Sequence, residues 1–376
     1  MSNVKIVFTV NDPLFFLSHR LPLVLNATKK NWQVFLISDF SNVNENDFKK
    51  HQIEMIHIPL NRKSTSFLEN INSLLKLLKS LKKISPNIIH NITLKMSLLG
   101  SLCLFFGVNH KTINAISGLG YLFTNSRFSF SKLLVSLIFK AINFFKKPHY
   151  IFQNNNDKKV FEILGVKNNY SIIKGSGVDK DQFIYHKPLS NKKINITFTG
   201  RILKDKGILE LIKAVEILPK EIQSKVVLNI YGKIDLENPA HITKRELKKL
   251  LKPNFIVWHG NSNDIIKALA LSDIYCLPSY REGLPKSTLE AMAIGRPIVT
   301  SNAPGCDDTV LEGINGFKVD VKDHKTLSEK LQILIEDNSL RLKMGKKSRE
   351  IFEKNFTLEK VVDQTFSLYN LLLVKN

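Results

Sequence analysis

Ile274-Tyr-Cys-Leu277-Pro278-Ser-Tyr-Arg-Glu282-Gly283-Leu284-Pro285-Lys286-Ser287-Thr-Leu-Glu290-Ala-Met-Ala-Ile294-Gly295-Arg-Pro297-Ile-Val-Thr-Ser301 reads as a strand, a loop, a helix and a second strand. Ile274–Leu277 and Pro297–Ser301 have strand length, and Lys286–Ile294 is the helical segment between them. The stretch is therefore one βαβ unit of a parallel sheet. The alternation continues upstream, where Ile194–Gly200, Lys225–Tyr231 and Phe255–His259 read as strands and Ile208–Leu218, Thr243–Leu251 and Asp264–Leu271 as helices. A separate series fills the first half. Its strands are Val4–Val10, Gln33–Ser38, Ile53–Ile58, Asn87–Asn91, Lys111–Ile116, His149–Gln153 and Tyr170–Lys174. Its helices are Ser18–Lys30, Ser66–Ile84, Leu94–Phe106, Ser131–Lys147 and Asp157–Leu164.

Between the series lies Gly175–Ser190, with two glycines, one proline and polar residues, as a domain connection should have. This predicts an α/β chain of two doubly wound domains, 1–190 and 191–376. Three helices in series, Leu327–Asp337, Leu340–Asn355 and Leu358–Val374, are expected outside the second sheet. The length agrees, since 376 residues exceed the roughly 100–200 of one compact core. No fixed-period repeat or low-complexity tract interrupts the pattern. Open α/β sheets bind ligands beyond the carboxyl ends of their strands, so the loops there, facing a central cleft, are where chemistry is expected.

Composition narrows the function classes. Hydrophobic residues form 43% of the chain and charged ones 23%, which is globular composition. Cys103, Cys276 and Cys306 are far apart and odd in number, which argues against a disulfide framework or a zinc site and for a reducing cytosol. No signal peptide is read at the start, and the longest apolar run, Ser97–Val108, is short of the roughly 20 residues that cross a bilayer. The net charge is +22; residues 1–190 hold 25 Lys and Arg against 10 Asp and Glu, and the remainder 30 against 23. Such a field attracts polyanions: nucleic acid, anionic head groups or phosphorylated ligands. No zinc finger, aromatic RNA-binding pair or helix-turn-helix accompanies the lysines, so no nucleic-acid partner is expected.

Three motifs carry chemistry. In the first, a helix N-terminus follows a strand, and its N–H groups and partial positive charge let Lys286 and Ser287 cradle a diphosphate. Glu282 precedes that helix and Glu290 lies inside it, so two carboxylates can grip hydroxyls on different parts of one ligand. Ser287-x-x-Glu290 also reads as a capping box. The second is Thr199-Gly200-Arg201-Ile-Leu-Lys204-Asp205-Lys206-Gly207, where Arg201 and Lys206 at a strand-to-helix turn can neutralise a departing diphosphate. The third, Ala303-Pro-Gly305-Cys306-Asp-Asp308-Thr-Val310 with Gly313-Ile-Asn315-Gly316, is a loop expected near the same ligand, with Cys306 as small filler.

The first half offers His19 and Arg20 after its first strand, Asn91 with His90 at the end of another, and Ser117 and Gly118 in a two-glycine loop. These are acceptor or cleft candidates, although a histidine near a helix start also caps or packs. The stretch Arg127–Lys147 is basic, aromatic and apolar, with Leu133, Leu134, Leu137, Ile138, Ala141, Ile142 and Phe145 at helix spacing. It suits a membrane interface, or a helix packed on its own sheet.

These motifs resemble the retaining glycosyltransferases of family 4, whose signature is two glutamates separated by seven residues in a Glu-Gly-Leu/Phe-Pro…Leu-Glu-Ala-Met-Ala-x-Gly-x-Pro-Val setting. The resemblance implies the GT-B architecture, two Rossmann-like domains. It implies a nucleotide-sugar donor, most often UDP-linked, held by Gly200, Gly283, Leu284, Lys286 and Ser287, with Glu282 on the transferred sugar, Glu290 on the ribose and Arg201 with Lys206 on the diphosphate. It implies transfer of a hexose or N-acetylhexosamine with retention of configuration, no cofactor and no metal. At Gly118 many members carry a histidine, so that side-chain contact is not carried over. The basic first half adds an expectation of its own: a lipid-linked glycan acceptor at an anionic membrane surface, on the inner face of the cytoplasmic membrane, as in O-antigen or capsule assembly. A sugar-nucleotide 2-epimerase shares this architecture but lacks the paired glutamates in this setting.

Overall fold

The computed structural model describes residues 4–41, 43–60, 67–108, 110–119, 130–188, 193–236, 238–252, 254–262 and 264–374. The chain forms two compact units, Met1–Ser176 with Glu359–Asn376, and Gly177–Leu358.

The first unit holds β1 (Lys5–Thr9), β2 (Gln33–Ser38), β3 (Ile53–His57), β4 (Ile88–Ile92), β5 (Lys111–Ile116), β6 (His149–Phe152) and β7 (Tyr170–Ile172), in the order β3-β2-β1-β4-β5-β6-β7. Every pairing is parallel, with Val7 opposite both Phe35 and Ile89. Consecutive residues Ile6, Val7 and Phe8 have no exposed surface, and since neighbours along a strand point to opposite faces, both faces of the sheet are covered. The helices Phe67–Ile84 and Leu94–Leu102 cover one face through Leu77, Leu81, Met96 and Leu99.

The second unit holds β8 (Ile194–Thr199), β9 (Val226–Tyr231), β10 (Ile256–Trp258), β11 (Ile274–Leu277), β12 (Ile298–Ser301) and β13 (Gly316–Val319), in the order β10-β9-β8-β11-β12-β13, again all parallel. In each sheet the chain order runs outward in both directions from one pair, β1 with β4 and β8 with β11. At such a switch point the loops after the two strands diverge and leave a crevice.

Two features depart from the sequence reading. The strand β13 falls in a stretch read only as motif loop, because it is short and opens on glycine. The units also divide elsewhere than 1–190 and 191–376. The chain enters the second unit at Gly177, where the Val178 N–H bonds the Phe356 carbonyl and Arg349 bonds the Phe183 and Ala293 carbonyls; Ser190 lies outside the described residues. The last helix, Leu358–Val374, joins the first unit because Phe366 and Tyr369 pack on Trp32 and Tyr369 meets His90.

Candidate active site

The two quoted motifs meet at the switch point of the second unit. β8 pairs directly with β11, so the loops that follow them start side by side. The β8 loop turns through a short 3-10 segment, Lys204–Lys206, and ends at Gly207 with φ of 69°. A Cβ at Gly207 would lie 2.0 Å from the Pro278 carbonyl, so glycine is required for the loops to touch. The contact is then tied by hydrogen bonds from the Tyr280 N–H (2.8 Å) and the Ser279 hydroxyl (3.0 Å) to the Asp205 carbonyl. The loop after β12 closes the third side: the Glu282 N–H donates to the Pro304 carbonyl at 2.9 Å, and a Cβ on Gly305 would lie 2.4 Å from the Glu282 carbonyl. Leu284, 7% exposed, anchors the β11 loop in the core.

This scaffold brings Arg201, Lys206, Glu282, Gly283, Lys286, Ser287 and Glu290 to the carboxyl end of the central pair β8 and β11. Lys206 forms an ion pair with Glu282. Arg201 pairs with Asp235 at 2.8 Å. Lys286 and Glu290 are 3.9 Å apart across one helical turn. Arg201 and Lys206 therefore both have carboxylate partners, and a diphosphate would have to compete for them. The Gly200 N–H donates to the Tyr231 carbonyl at 3.0 Å, which fixes where Arg201 leaves its strand.

The helix Lys286–Ile294 begins after Pro285, which occupies the capping position and makes no side-chain cap. Glu290 is thus beyond the capping-box position, and Ser287-x-x-Glu290 does not cap this helix. The first hydrogen bond back to Pro285 comes from the Thr288 N–H at 3.0 Å, so the amides of Lys286 and Ser287 precede the intrahelical ladder, at the positive end of the helix dipole. Burial, only partly offset by Lys286, raises the Glu290 carboxyl to about 7. Asp205 is also raised, by burial first and by Glu282 as well, against the lowering effect of Lys206 and Arg201. Burial pushes the Cys306 thiol up to about 12, so it holds its proton and serves as filler.

Sequence reasoning missed Asp235, the partner of Arg201, and Glu210, which accepts the Tyr280 hydroxyl at 2.8 Å and steadies the β11 loop. Asp235 follows β9, a strand end where chemistry is expected, but nothing in the sequence ties it to an arginine so far away.

The first-unit candidates are differently placed. His19, half-buried on the helix after β1, stacks on Phe15 (centroids 4.1 Å apart), and its Nδ1 lies 2.7 Å from the hydroxyl of exposed Ser18. Arg20 is 5% exposed and reaches the Gly175 carbonyl at 3.5 Å; burial lowers its guanidinium to about 10, which leaves it charged at neutral pH. His90 is buried with its Nδ1 2.5 Å from the Tyr369 hydroxyl. Asn91 lies inside the sheet, where its amide accepts from Thr9 at 2.7 Å and donates to Asn114 at 2.9 Å. That side chain organises the interior. Ser117 and Gly118 are half-buried after β5.

The model of the glycosyl transferases group 1 family matches residues 179–351, and that of the glycosyl transferase 4-like family matches residues 5–146. This chain is a group 1 glycosyltransferase. The capsular polysaccharide biosynthesis glycosyltransferase CapM of Staphylococcus aureus is 28% identical to the transferase over 99% of this chain and 98% of its own. The N,N'-diacetylbacillosaminyl-diphospho-undecaprenol alpha-1,3-N-acetylgalactosaminyltransferase of Campylobacter jejuni is 26% identical over 89% of this chain and 92% of its own. The transferase superposes on Anabaena HepE, solved with UDP and glucose, with a TM-score of 0.79 at 16% identity, over 98% of this chain and 99% of that one. Its two parallel-sheet Rossmann-like domains are those of the GT-B fold.

Proposed function

We infer that the enzyme transfers a hexose or N-acetylhexosamine from a UDP-linked donor to a lipid-linked or growing glycan, with retention of configuration, in bacterial surface-polysaccharide assembly. The observation that carries this reading is the grouping of Arg201, Lys206, Glu282, the Lys286–Ser287 helix start and Glu290 around the β8–β11 switch point. Breaking the glycosidic bond of a nucleotide sugar leaves the electron pair on the phosphate oxygen. Arg201, Lys206 and the helix N-terminus offer fixed positive charge where that negative charge develops. As the diphosphate draws Lys206, Glu282 is released from its ion pair and becomes available to the sugar hydroxyls. Glu290 is suited to the ribose hydroxyls once ionised. These groups would serve without a metal, and activity is expected to survive EDTA.

The acceptor class is supported by the Campylobacter relative, whose name specifies a diphospho-undecaprenol-linked sugar, and by the capsule relative. The site of action proposed is the inner face of the cytoplasmic membrane, with the protein peripheral; none of the helices of the described residues is long and apolar enough to cross a bilayer. The test is a panel of UDP- and GDP-sugars with an undecaprenyl-diphosphate-linked acceptor. Acceptor-dependent UDP release that Glu282→Ala abolishes is expected. Appearance of a 2-epimer without an acceptor would point to an epimerase instead.

A further inference from the structure

The helix Phe130–Phe145 departs from the pattern of a surface helix. Its inner side sends Phe139 and Ile142 into the core with Tyr150, Phe152 and Phe161. Its outer side is apolar too: Leu133, Leu134, Leu137, Phe144 and Phe145 are between 43% and 73% exposed. A helix at a solvated surface places polar residues there, and a continuous apolar stripe marks contact with something other than water. At the end of the stripe Phe144 and Phe145 meet edge to face at 4.9 Å, Phe145 meets Phe105 at 6.4 Å, and the Lys146 ammonium lies 4.9 Å above the Phe105 ring. The aromatic side chains are thus braced against one another beneath a lysine.

Beside them lies a concavity of about 1120 Å³ at the N-terminal ends of β5, β6 and β7, where Lys111, His149 and Tyr170 start their strands. It is at the end of this sheet opposite the strand ends where ligands of α/β sheets bind. Lys111, Lys140, Lys146, Lys147 and Lys167 line it. Among its described lining residues Glu162 is the one acid, and that carboxylate already accepts Lys158 at 3.0 Å. A concave wall of one charge sign focuses potential and holds anions. Positive charge in a hollow and bulky apolar side chains on its rim suit an anionic bilayer, with phosphate in the hollow and the rim among acyl chains.

We propose that this face of the first unit is a docking site for anionic phospholipid, and that the concavity at the N-terminal ends of β5, β6 and β7 takes the headgroup phosphate. The proposal deepens the membrane-surface reading above and rests on it. The experiment is flotation of the full-length protein with equimolar phosphatidylglycerol–phosphatidylcholine vesicles and with phosphatidylcholine vesicles alone. Wild type should float with the mixed vesicles only. Removing Lys140 and Lys167 together (Lys140→Ala with Lys167→Ala) should lower partition on the order of fivefold per lysine. The matched pair Lys76→Ala with Lys79→Ala, exposed on Phe67–Ile84, should leave it unchanged. Phe144→Ser with Phe145→Ser should lower it further still, and thermal melts should show all variants folded.

Equal losses from both lysine pairs would mean that net charge alone binds the vesicle, and would overturn the headgroup site. So would undiminished partition of the Lys140/Lys167 variant, while leaving the membrane reading in place. Failure of wild type to float with either vesicle would remove both. Displacement of wild type from the vesicles by polyuridylate RNA, with RNA binding lost in the Lys140/Lys167 variant, would assign the surface to nucleic acid.

Discussion

Burial holds the Glu290 carboxyl at about 7, so near neutrality it is divided between protonated and ionised forms. Only the ionised form accepts two hydroxyls without a proton in the way, and a ribose held there as proposed would therefore draw the proton off. UDP affinity measured by titration calorimetry should be flat above pH 8 and weaken about tenfold per unit as pH falls below 7, while Glu290→Gln binds more weakly without that slope. A slope that survives in Glu290→Gln would remove Glu290 from the nucleotide site. The linkage to stability has the opposite sense to that of an ordinary carboxylate. Between its usual 4.5 and about 7 the folded chain holds a proton the unfolded chain gives up, so this residue makes the second unit less stable as pH rises through that window. Lys206 answers to a different measurement. In the proposed mechanism its replacement by Ala removes one fixed charge facing the leaving diphosphate, and should lower kcat about 100- to 1000-fold, in line with removal of a single preorganised donor. If kcat holds and KM alone rises, Lys206 contributes only to ground-state binding.

At the level of elements, the site depends on loops that touch where side chains are excluded. Gly305 has φ of 78°, and a Cβ there would meet the carbonyls of Glu282 and Gly283 at 2.4 and 2.5 Å. Both are backbone atoms that cannot swing aside. Gly305→Ala should destabilise the second unit by about 1–3 kcal/mol and lower kcat/KM through displacement of Glu282; a variant of wild-type melting temperature and activity would show that the β12 loop does not position that carboxylate. The strands were legible because a sheet covered on both faces needs unbroken β-branched and apolar runs, as at Ile274–Leu277 and Ile6–Phe8. The helix Lys286–Ile294 was legible for its place after a strand. Tertiary partners were not. The capping box at Ser287 fails because the helix begins two residues earlier than a serine cap would require, with Pro285 in the capping position. Arg20, on the helix after β1, and Asn91, in β4, were conspicuous as polar residues but lie in the interior, where the Gly175 carbonyl and the Asn114 side chain accept them. Asp235 reaches Arg201 only through the pairing of β8 with β9, a contact that local sequence does not record.

Over the whole molecule, the two units carry ionisable groups whose burial acts in opposite directions with pH. In the first unit burial, and then the charge of Arg20, hold the His90 imidazole at about 3, below its usual 6.5. Below 6.5 the unfolded chain takes a proton that the folded one refuses, so this contribution is complete above 6.5 and is lost as pH falls toward 3. From 6.5 to 5 the loss is about 2 kcal/mol. Over the same interval Glu290 makes the second unit more stable. The chain holds 2 tryptophans, and each unit has one: Trp32 against Phe366 and Tyr369, and Trp258, whose Nε1 donates to the Gly232 carbonyl at 2.9 Å. Fluorescence of Trp258→Phe therefore follows the first unit alone and that of Trp32→Phe the second. Acidification from pH 6.5 to 5 should lower the melting temperature of the first reporter by about 4–8 °C and leave the second level or raised. Adding His90→Gln to the first reporter should flatten its response, because the residue that refuses the proton is gone. A parallel fall in both reporters, or a fall that persists with His90→Gln, would place the acid-sensitive group elsewhere and leave the Tyr369–His90 contact as a packing feature of the last helix.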